Sequence, residues 1–540
     1  MASSPLAIAP LLLLLLLLVD SPSAAAKTDN SLLRCLANTT KEADIRSIVY
    51  TPTAPSFSKL LAAYIRNSRF NNNPSVPKPT TILTPSTPAH VSAAVLCAKT
   101  LNLRLRIRSG GHDYDGLSYL SLDPTAPFFL LDMFNFRNIT VNLQTETAWA
   151  GAGATLGELY YAIGTQSKVH AYPAGICPTV AVGGHLSGGG YGNLLRKFGL
   201  SVDHVVDAQI VDAKGAILDR KSMGEDLFWA IKGGGGASFG VILAYKINLV
   251  RVPEVVSVFR VERWIEEDNA TDIFYKWHQV AYDIDSNLFI RVLVQPVTPK
   301  KKTSKGADKT IRLTFISLFL GNADSLVSLI DKEFPELGLK KEDIKEMNWL
   351  ESVLYWGDLT SPKQLLDRNL AGNDIKFLKR KSDYVQTPMT KKNLKLMWKK
   401  MIELGKTGLV FNQYGGRMAE IRATETPFPH RAGNIFKIQY SVNWNDAGAE
   451  LDDKYVSQIR QLYEFNAPFV SKSPRGTFVN YRDVDIGVNH HRSSKESYEE
   501  GKVYGTKYFM QNFDRLVKVK TAVDPDNFFR YEQSIPTLPA

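Results

Sequence analysis

Two segments of this chain decide its fold and its site: RSGGHDYDG, residues 108–116, and PAGICPTVAVGGHLSGGGYG, residues 173–192. The first holds His112 directly after Gly110 and Gly111, and the second holds Cys177 ahead of a glycine cluster. Glycine lets the backbone approach a ligand closely. The two segments therefore predict one ligand that is fixed at two points, by a histidine and by a cysteine.

The glycine cluster has the composition of an anion-binding loop. Six of the ten residues from 183 to 192 are glycine, and a second run spans 233–236. Backbone amides at Gly183, Gly184, Gly188 and Gly189 can cradle a pyrophosphate, whereas the alternative is a set of tight turns. The glycines at 151, 153 and 157 miss the G-x-G-x-x-G spacing by one residue, which disfavours a Rossmann nicotinamide enzyme.

The N-terminus and the cysteines indicate an oxidising compartment. Residues 1–26 contain an apolar run too short to span a bilayer and read as a secretory signal, and no later segment is a transmembrane candidate. We predict that Cys35 and Cys97 pair, which leaves Cys177 over. The alternatives are a different pair, or a Cys177 that is only a small buried apolar residue.

Sequons and charge extend this picture. Asn38, Asn138 and Asn269 each begin an N-x-[ST] triplet, which favours a glycosylated protein of the apoplast or cell wall, with the vacuole as the alternative. The formal charge of +11 suits polyanionic surroundings. Nucleic acid is not expected for a secreted chain, so the partner would be a cell-wall polyanion such as pectin; lysine clusters that only aid solubility are the simpler interpretation.

The chain of 540 residues is long enough for several domains. Alternating short apolar runs and helical stretches from residue 78 to 250 predict an α/β arrangement. Thr155 and Glu158 predict a capped helix over 155–167, and Lys214-Gly215 predicts the turn of a hairpin over 203–218. Longer amphipathic segments rich in lysine and tryptophan follow, up to residue 474.

Four motifs together resemble one protein family: GGHDYDG (110–116), GICPTVAVGGHLSGGGYG (175–192), NYRDVDIG (480–487) and DPDNFFRYEQSIP (524–536). This set is similar to the plant berberine bridge enzyme-like family of FAD-linked oxidases. The resemblance implies an α+β fold, with a two-part FAD-binding domain of the vanillyl-alcohol-oxidase (PCMH) type and a substrate domain whose antiparallel sheet is backed by helices. The predicted boundaries are 1–26 for the signal, 27–250 and 475–540 for the FAD-binding part, and 251–474 for the substrate part.

The resemblance also implies how the cofactor is held. His112 and Cys177 would attach covalently to the 8α and 6 positions of the flavin ring of FAD. Gly110, Gly111, the glycines of the cluster and Asn480 would surround it. Val180 falls where members of the family use a small side chain to admit oxygen, so the valine predicts an oxidase that releases hydrogen peroxide.

Candidate catalytic residues lie in FKIQY (436–440), where strand alternation puts Lys437 and Gln439 on one face. Alkaloid-cyclising members resemble a pattern with a glutamate near this place, and Gln439 cannot accept a proton. The resemblance offers Tyr481 as the base instead, supported by Tyr191 and by a Lys437 ammonium that lowers its pKa. Tyr114 would line the cleft, and Gln439 would bind the substrate oxygen.

The sequence thus predicts a secreted FAD-dependent enzyme that transfers hydride from an alcohol, with a monolignol-like aromatic alcohol favoured. A carbohydrate oxidase acting at an anomeric carbon is the alternative, and oxidative cyclisation of a specialised metabolite comes third. A cell-wall glycoprotein that keeps flavin as a structural ligand is a hypothesis of a different class. The histidines at 185, 430, 490 and 491 are not spaced as metal ligands, and motifs of metallohydrolases and serine hydrolases are absent from the sequence.

Overall fold

The computed structural model describes residues 24–40, 45–70, 76–300, 308–370 and 376–539. Residues 1–23 of the predicted signal lie outside the described residues. The described residues form three main sheets with helices packed against them, and each sheet corresponds to a successive stretch of sequence.

The first sheet is small and mixed. Its strands in spatial order are β1 (Val49–Tyr50), β2 (Thr81–Leu83), β4 (Phe128–Asp132) and β3 (Arg104–Arg108). Both β2 and β3 run parallel to β4, and β1 is antiparallel to β2. The helices of this part are α1 (Ala24–Thr39), α2 (Phe57–Ala62) and α3 (Pro88–Thr100). The predicted Cys35–Cys97 disulfide is present and joins α1 to α3.

The second sheet is antiparallel, which corrects the α/β expectation for residues 139–248, whereas the parallel strands β2, β3 and β4 agree with it for the preceding part. Its order is β5 (Ile139–Asn142), β6 (Thr147–Gly151), β10 (Val241–Asn248), β8 (Val205–Val211) and β9 (Ile217–Leu218). The physical reason is the short β5–β6 and β8–β9 connections, because parallel neighbours need a long crossover. The predicted hairpin turn at Lys214-Gly215 is confirmed.

Short elements surround this second sheet. A separate strand pair is formed by β7 (His170–Ala171) and β11 (Val250–Arg251), and the helices are α4 (Leu156–Gly164), α5 (Val182–Ser187), α6 (Leu195–Phe198) and α7 (Arg220–Ile231). Helix α4 begins with the predicted capping box, in which Thr155 accepts from the Glu158 amide and the Glu158 carboxylate accepts from the Thr155 amide.

The third sheet is wholly antiparallel and backed by helices, as predicted. Its order is β15 (Ile344–Met347), β12 (Val256–Trp264), β14 (Thr310–Phe319), β13 (Leu288–Val297), β17 (Gly408–Gln413), β18 (Phe436–Trp444) and β16 (Phe377–Val385). Its helices are α8 (Ala270–Val280), α9 (Ala323–Glu333), α10 (Trp349–Trp356), α11 (Lys391–Leu404), α12 (Arg417–Glu420) and α13 (Ala449–Phe465). An aromatic core including Trp277, Trp398 and Phe436 lies between one face of the sheet and α8, α11 and α13. The opposite face is left to line a cavity.

The C-terminal segment packs against the first half of the chain. It contains α14 (Ser494–Phe509) and α15 (Phe513–Val523). The buried Lys520 ammonium donates to the Ser238 carbonyl at 2.7 Å, and Arg106 of β3 pairs with Glu532 at 2.8 Å. These contacts bring the C-terminal segment back onto the part that precedes the third sheet, while the precise domain boundaries stay a prediction.

Candidate functional site

A cavity of about 400 Å³ lies between the loops of the first two sheets and the open face of the third. It is mostly apolar in its lining, as ligand sites usually are. Most of the residues predicted from the sequence line it, namely His112, Cys177, Gly110, Gly111, Gly183, Gly184, Gly188, Val180, Asn480, Tyr114, Tyr191, Gln439 and Tyr481. Gly189 and Lys437 do not line it.

His112 lies on the loop that follows β3, and its imidazole is held at one nitrogen. Its Nε2 shares a hydrogen bond of 3.0 Å with the Thr179 hydroxyl. Burial, with a smaller contribution from Arg66, lowers the pKa of His112 to about 3, so the imidazole is neutral and nucleophilic. A Cβ on Gly110 would lie 2.7 Å from the Ala181 amide nitrogen, so only glycine lets this loop pack against the segment of Cys177.

Cys177 is the free cysteine, and its side chain is exposed. Burial of the surrounding site raises the pKa of the thiol, and the guanidinium groups of Arg291 and Arg380 oppose this. Two residues earlier, Gly175 is held on both sides: its amide donates to His185 Nε2 at 3.2 Å, and its carbonyl accepts from the Tyr160 hydroxyl at 2.6 Å. His185, which also lines the cavity, thus helps to hold Gly175 in place.

Some of the glycines line the cavity with free space beside them, whereas others make room for neighbouring side chains. A Cβ on Gly184 would meet nothing within 4 Å, and one on Gly235 would meet its first neighbours at 3.7 Å, so both open onto free space in the cavity. These positions fit the pyrophosphate of FAD. Gly188 instead makes room for Asn480, whose side-chain amide donates to the His185 carbonyl at 2.8 Å. Gly189 does not line the cavity, and a Cβ there would lie 3.2 Å from the Phe428 ring, so its contact with the cofactor stays a prediction.

The third sheet contributes two rows of cross-strand neighbours. Leu293, Val410 and Gln439 are paired across β13, β17 and β18, and all three line the cavity. The adjacent row is Arg291, Asn412 and Lys437. Because side chains two residues apart on a strand share a face, both rows point the same way. Strand alternation thus places Lys437 and Gln439 together, as predicted.

Three tyrosines converge on this face. The hydroxyl groups of Tyr191 and Tyr481 are hydrogen-bonded to each other. The Tyr114 hydroxyl accepts from Gln439 Nε2 at 2.9 Å, and the rings of Tyr114 and Tyr481 lie 5.6 Å apart. The Lys437 ammonium nitrogen lies 3.0 Å from the centre of the Tyr191 ring and 4.8 Å from that of Tyr481.

The expectation that Lys437 would give Tyr481 a low pKa is wrong for this geometry. Burial raises the pKa of Tyr481 well above its ordinary value, and it also raises the pKa of Tyr191 and, to about 12, that of Tyr114. Burial, with a smaller contribution from the positive charge of Arg291, lowers the pKa of Lys437 well below its ordinary value. Among the described residues its Nζ has no hydrogen-bond partner, because it faces rings rather than a phenol oxygen.

Arg291 is the site residue that the sequence analysis missed. It lines the cavity, its Nε donates to Asn412 Oδ1 at 2.8 Å, and its positive charge lowers the pKa of both Tyr191 and Tyr481. The signal was available: this arginine is the one charged residue in LFIRVLVQPV, an otherwise apolar strand. A buried charge in such a strand needs a partner or a function.

Other expectations concern the surface of the described residues. The sequon asparagines Asn38, Asn138 and Asn269 are all exposed. Among the described residues, the helices are all too short or too polar to cross a membrane. Within the same ranges, histidine, cysteine and acidic residues form no cluster that could bind a metal ion.

Comparison with known proteins agrees with these features. Residues 79–220 match the family model described as FAD binding domain, and residues 477–536 match the one described as Berberine and berberine like. Berberine bridge enzyme-like 19 of Arabidopsis thaliana is 57% identical over 534 residues, which is 98% of this chain and 91% of the relative.

Solved structures match over the same length. BBE-like 28 from Arabidopsis thaliana has 41% identity and a TM-score of 0.85, and the match covers 94% of this chain and all of that one. Phl p 4, a grass pollen allergen with glucose dehydrogenase activity, has 38% identity and a TM-score of 0.87 over the same shares. The fold is the predicted α+β type with a PCMH-type FAD-binding part. The chain belongs to the berberine bridge enzyme-like family of FAD-dependent oxidoreductases that act on CH–OH groups.

Proposed function

We propose that this protein holds FAD through two covalent bonds, at His112 and Cys177, and oxidises an alcohol in the cavity. The observation that carries the proposal is that one cavity is lined by both of these nucleophiles and by the Tyr191–Tyr481 pair. The neutral imidazole of His112 suits attack on an electrophilic ring, and the Cys177 side chain is exposed to the cavity, where the guanidinium groups of Arg291 and Arg380 favour its thiolate form. When bound, the flavin supplies the acceptor for hydride from the carbinol carbon.

Tyr481 is the base in this proposal and takes the proton of the substrate hydroxyl. Tyr481 acts in its phenolate form, which the hydrogen bond with Tyr191 stabilises, and it becomes a neutral phenol when it accepts the substrate proton. The positive charge of Arg291 stabilises this phenolate, and the Lys437 side chain packs over the rings of Tyr191 and Tyr481. Gln439 holds the Tyr114 hydroxyl and orients the substrate oxygen on the same face of the sheet.

Oxygen is the proposed final electron acceptor, and hydrogen peroxide is the product. The half-buried Val180 lines the cavity three residues beyond Cys177, and its amide donates to the Cys177 carbonyl at 3.3 Å. A small side chain at this place leaves room for oxygen. The competing interpretation is that Val180 only fills space in the core and has no part in admitting oxygen.

The favoured substrate is a monolignol-like aromatic alcohol, because the aromatic rings of three tyrosines converge on the cavity. A carbohydrate oxidised at its anomeric carbon is the second candidate, and two observations favour it. Arg291 offers a cavity-lining guanidinium that suits an acidic sugar such as an oligogalacturonide. The relative Phl p 4 is described as having glucose dehydrogenase activity, and a variant of it is described as a glucose oxidase.

We also propose that the protein is secreted and glycosylated. The leader, the Cys35–Cys97 disulfide and the three exposed sequon asparagines support this. The basic surface would favour contact with a cell-wall polyanion such as pectin. The mature chain from plant cell-wall extracts should begin at residue 27 and lose mass on deglycosylation; an intact leader would contradict secretion.

The test of the function is made on the full-length protein purified from a secreting plant or yeast host. After complete denaturation, flavin fluorescence should stay with the polypeptide and map to peptides that contain His112 and Cys177. Aerobic incubation with a monolignol, a cello-oligosaccharide and an oligogalacturonide should yield hydrogen peroxide with at least one of them. Flavin that is released by denaturation would contradict the covalent bonds, and peroxide with none of the three would contradict the oxidase.

A further inference from the structure

The loops that carry Tyr114 and Tyr481 are joined to each other by charged neighbours of these tyrosines. Asp113 immediately precedes Tyr114, and Arg482 immediately follows Tyr481. Arg482 Nε lies 3.1 Å from Asp113 Oδ2, and both side chains are largely buried. One ion pair therefore ties the two loops together at the positions next to the tyrosines.

A second connection runs through Lys379 of β16. Its Nζ lies 2.8 Å from Asp115 Oδ2 and 2.8 Å from Asp483 Oδ1, and all three side chains are at most 3% exposed. Asp115 follows Tyr114, and its carboxylate also accepts from the Val484 amide at 2.9 Å. The two tyrosine-bearing loops thus meet a third element, the edge strand of the third sheet, at a single ammonium group.

The connection extends further along β16. Lys381 Nζ lies 2.6 Å from Asp483 Oδ2 and 2.9 Å from Asp485 Oδ2, and Arg460 of α13 pairs with Asp485 at 2.6 Å. Four cations and four carboxylates balance. We call this set the ion latch: Asp113, Asp115, Lys379, Lys381, Arg460, Arg482, Asp483 and Asp485.

We propose that the ion latch is a positioning device that sets the separation of Tyr114 and Tyr481 across the substrate. The tyrosine rings are 5.6 Å apart, and each is one or two residues from a latch carboxylate. Lys379, Asp115 and Asp483 do not line the cavity, so they act through the tyrosines, whereas Asp113 and Arg482 line it directly. Burial lowers the pKa of Lys379, but the carboxylates of Asp115, Asp483 and Asp485 outweigh it and raise that pKa, which keeps the ammonium charged.

Positioning rather than mere stability is the expected role, for a physical reason. A buried ion pair often adds little net stability compared with an apolar pair, because removing two charges from water is costly. A buried ion pair does require its two partners to lie at one fixed distance and orientation. A displacement of about 1 Å in a reacting group can slow a reaction by about 10²-fold. The cluster sits where such a displacement would reach the proposed base directly.

The experiment compares Lys379→Met with a matched control, Arg431→Met, in the holoenzyme. Arg431 forms a buried pair with Asp203 at 2.6 Å that contacts neither tyrosine loop. We expect both variants to lower the melting temperature, but only Lys379→Met to slow anaerobic flavin reduction at saturating substrate, by about 10- to 100-fold, with little change in the half-saturating concentration. Lys379→Arg should restore part of the rate.

A milder variant covers the case in which Lys379→Met does not fold. Asp113→Asn keeps the size of the side chain and replaces the carboxylate oxygen that faces Arg482 with an uncharged amide group, at a residue that itself lines the cavity. It should reduce the same rate by a smaller factor while the flavin stays attached. The proposal is overturned if the folded latch variants lose stability as the control does but reduce flavin at the wild-type rate, or if Arg431→Met slows reduction equally.

The inference rests on the proposed function, so the wild-type protein is measured first. If alcohols and sugars all fail to reduce its flavin, the oxidase proposal fails, and the latch is then judged by crystal structures of the wild type and of the variant. The latch predicts that the Tyr114 and Tyr481 rings move apart in Lys379→Met, or in Asp113→Asn if the former does not fold. An unchanged ring separation would overturn the latch alone.

Discussion

The two walls of the cavity are built in different ways. The attachment wall consists of His112, Cys177 and the glycines near them, which lie on loops held by close backbone packing and by hydrogen bonds to Gly175. The sheet wall consists of Arg291, Gln439 and Tyr481, which come from separate strands and a distant loop. The attachment wall is built from short sequence motifs. The sheet wall forms only when the strands of the third sheet come together.

This difference has a consequence for function. The attachment wall binds a cofactor of fixed chemistry, so its residues can be recognised wherever the motif occurs. In the proposed mechanism the sheet wall would set the proton transfer and the substrate, because it carries the proposed base and the polar groups beside it. Substitutions in the sheet wall should therefore alter rate and specificity, and those in the attachment wall should alter cofactor retention.

The largest effect is expected from Tyr481→Phe, which removes the proposed base from the sheet wall. General base catalysis contributes about 10²- to 10⁴-fold, so anaerobic flavin reduction, followed by stopped-flow absorbance, should slow by that range. The attached flavin should remain. Tyr498→Phe is the control, because Tyr498 is half-buried on α14 outside the cavity and should react normally. A rate within about twofold of wild type for Tyr481→Phe would assign the base elsewhere.

The pH dependence of flavin reduction is a second test of Tyr481 in the sheet wall. Burial raises the pKa of Tyr481, so at neutral pH the deprotonated fraction is small and grows about tenfold with each pH unit. Flavin reduction at saturating substrate should therefore increase from pH 7 to 9 by about 10²-fold, without a plateau. A plateau below pH 8 would mean that binding lowers the pKa of Tyr481 strongly or that another group is the base.

Substitutions at Gly184, in the attachment wall, distinguish an effect on cofactor retention from an effect on folding. A methyl at Gly184 meets no protein atom within 4 Å, and alanine favours a helix over glycine by about 0.5–1 kcal/mol. Gly184→Ala should keep or raise the stability of the flavin-free protein, and Gly184→Val should weaken flavin retention about tenfold or more, as overpacking does. Full flavin content in purified Gly184→Val would show that this space is not used by the cofactor.

The smallest effect is expected from Val180→Leu, which narrows the attachment wall near Cys177. Reoxidation by oxygen should slow severalfold, while anaerobic reduction by substrate stays unchanged, because Val180 touches neither tyrosine in the proposed mechanism. Both half-reactions can be followed by the same flavin absorbance. Equal slowing of both would remove the gating role of Val180.

The sequence predicted the attachment wall far better than the sheet wall. His112, Cys177 and the Thr155 capping box depend on neighbours within a few residues, so local patterns suffice. Arg291 and Lys437 meet through Asn412 across three strands, and this register cannot be read from any one of them. The raised pKa of Tyr481 was missed for a related reason, since it depends on burial by distant segments.

The ion latch lay between these two cases. The acidic residues of the ion latch lie inside the motifs HDYD and NYRDVD, which the sequence analysis recognised. Their partners Lys379 and Lys381 lie on β16, and from the sequence these lysines could be read only as one of the lysine clusters that aid solubility. Buried lysines are rare unless paired. In LKRKSDYV the two lysines alternate as residues on one face of a strand do, and this pattern was the available signal for a pair of buried lysines. Which carboxylates they pair with became known only from the structure.

The measurement that tests the account most directly is anaerobic bleaching of the flavin absorbance in the wild-type protein. Coniferyl alcohol, a cello-oligosaccharide and an oligogalacturonide are mixed separately with the oxidised enzyme. The account predicts rapid bleaching by at least one of them, with coniferyl alcohol fastest if the aromatic assignment is right and the oligogalacturonide fastest if Arg291 selects an acid. Absence of bleaching by all three, in a protein with its flavin fully attached, would contradict the assignment as an alcohol oxidase.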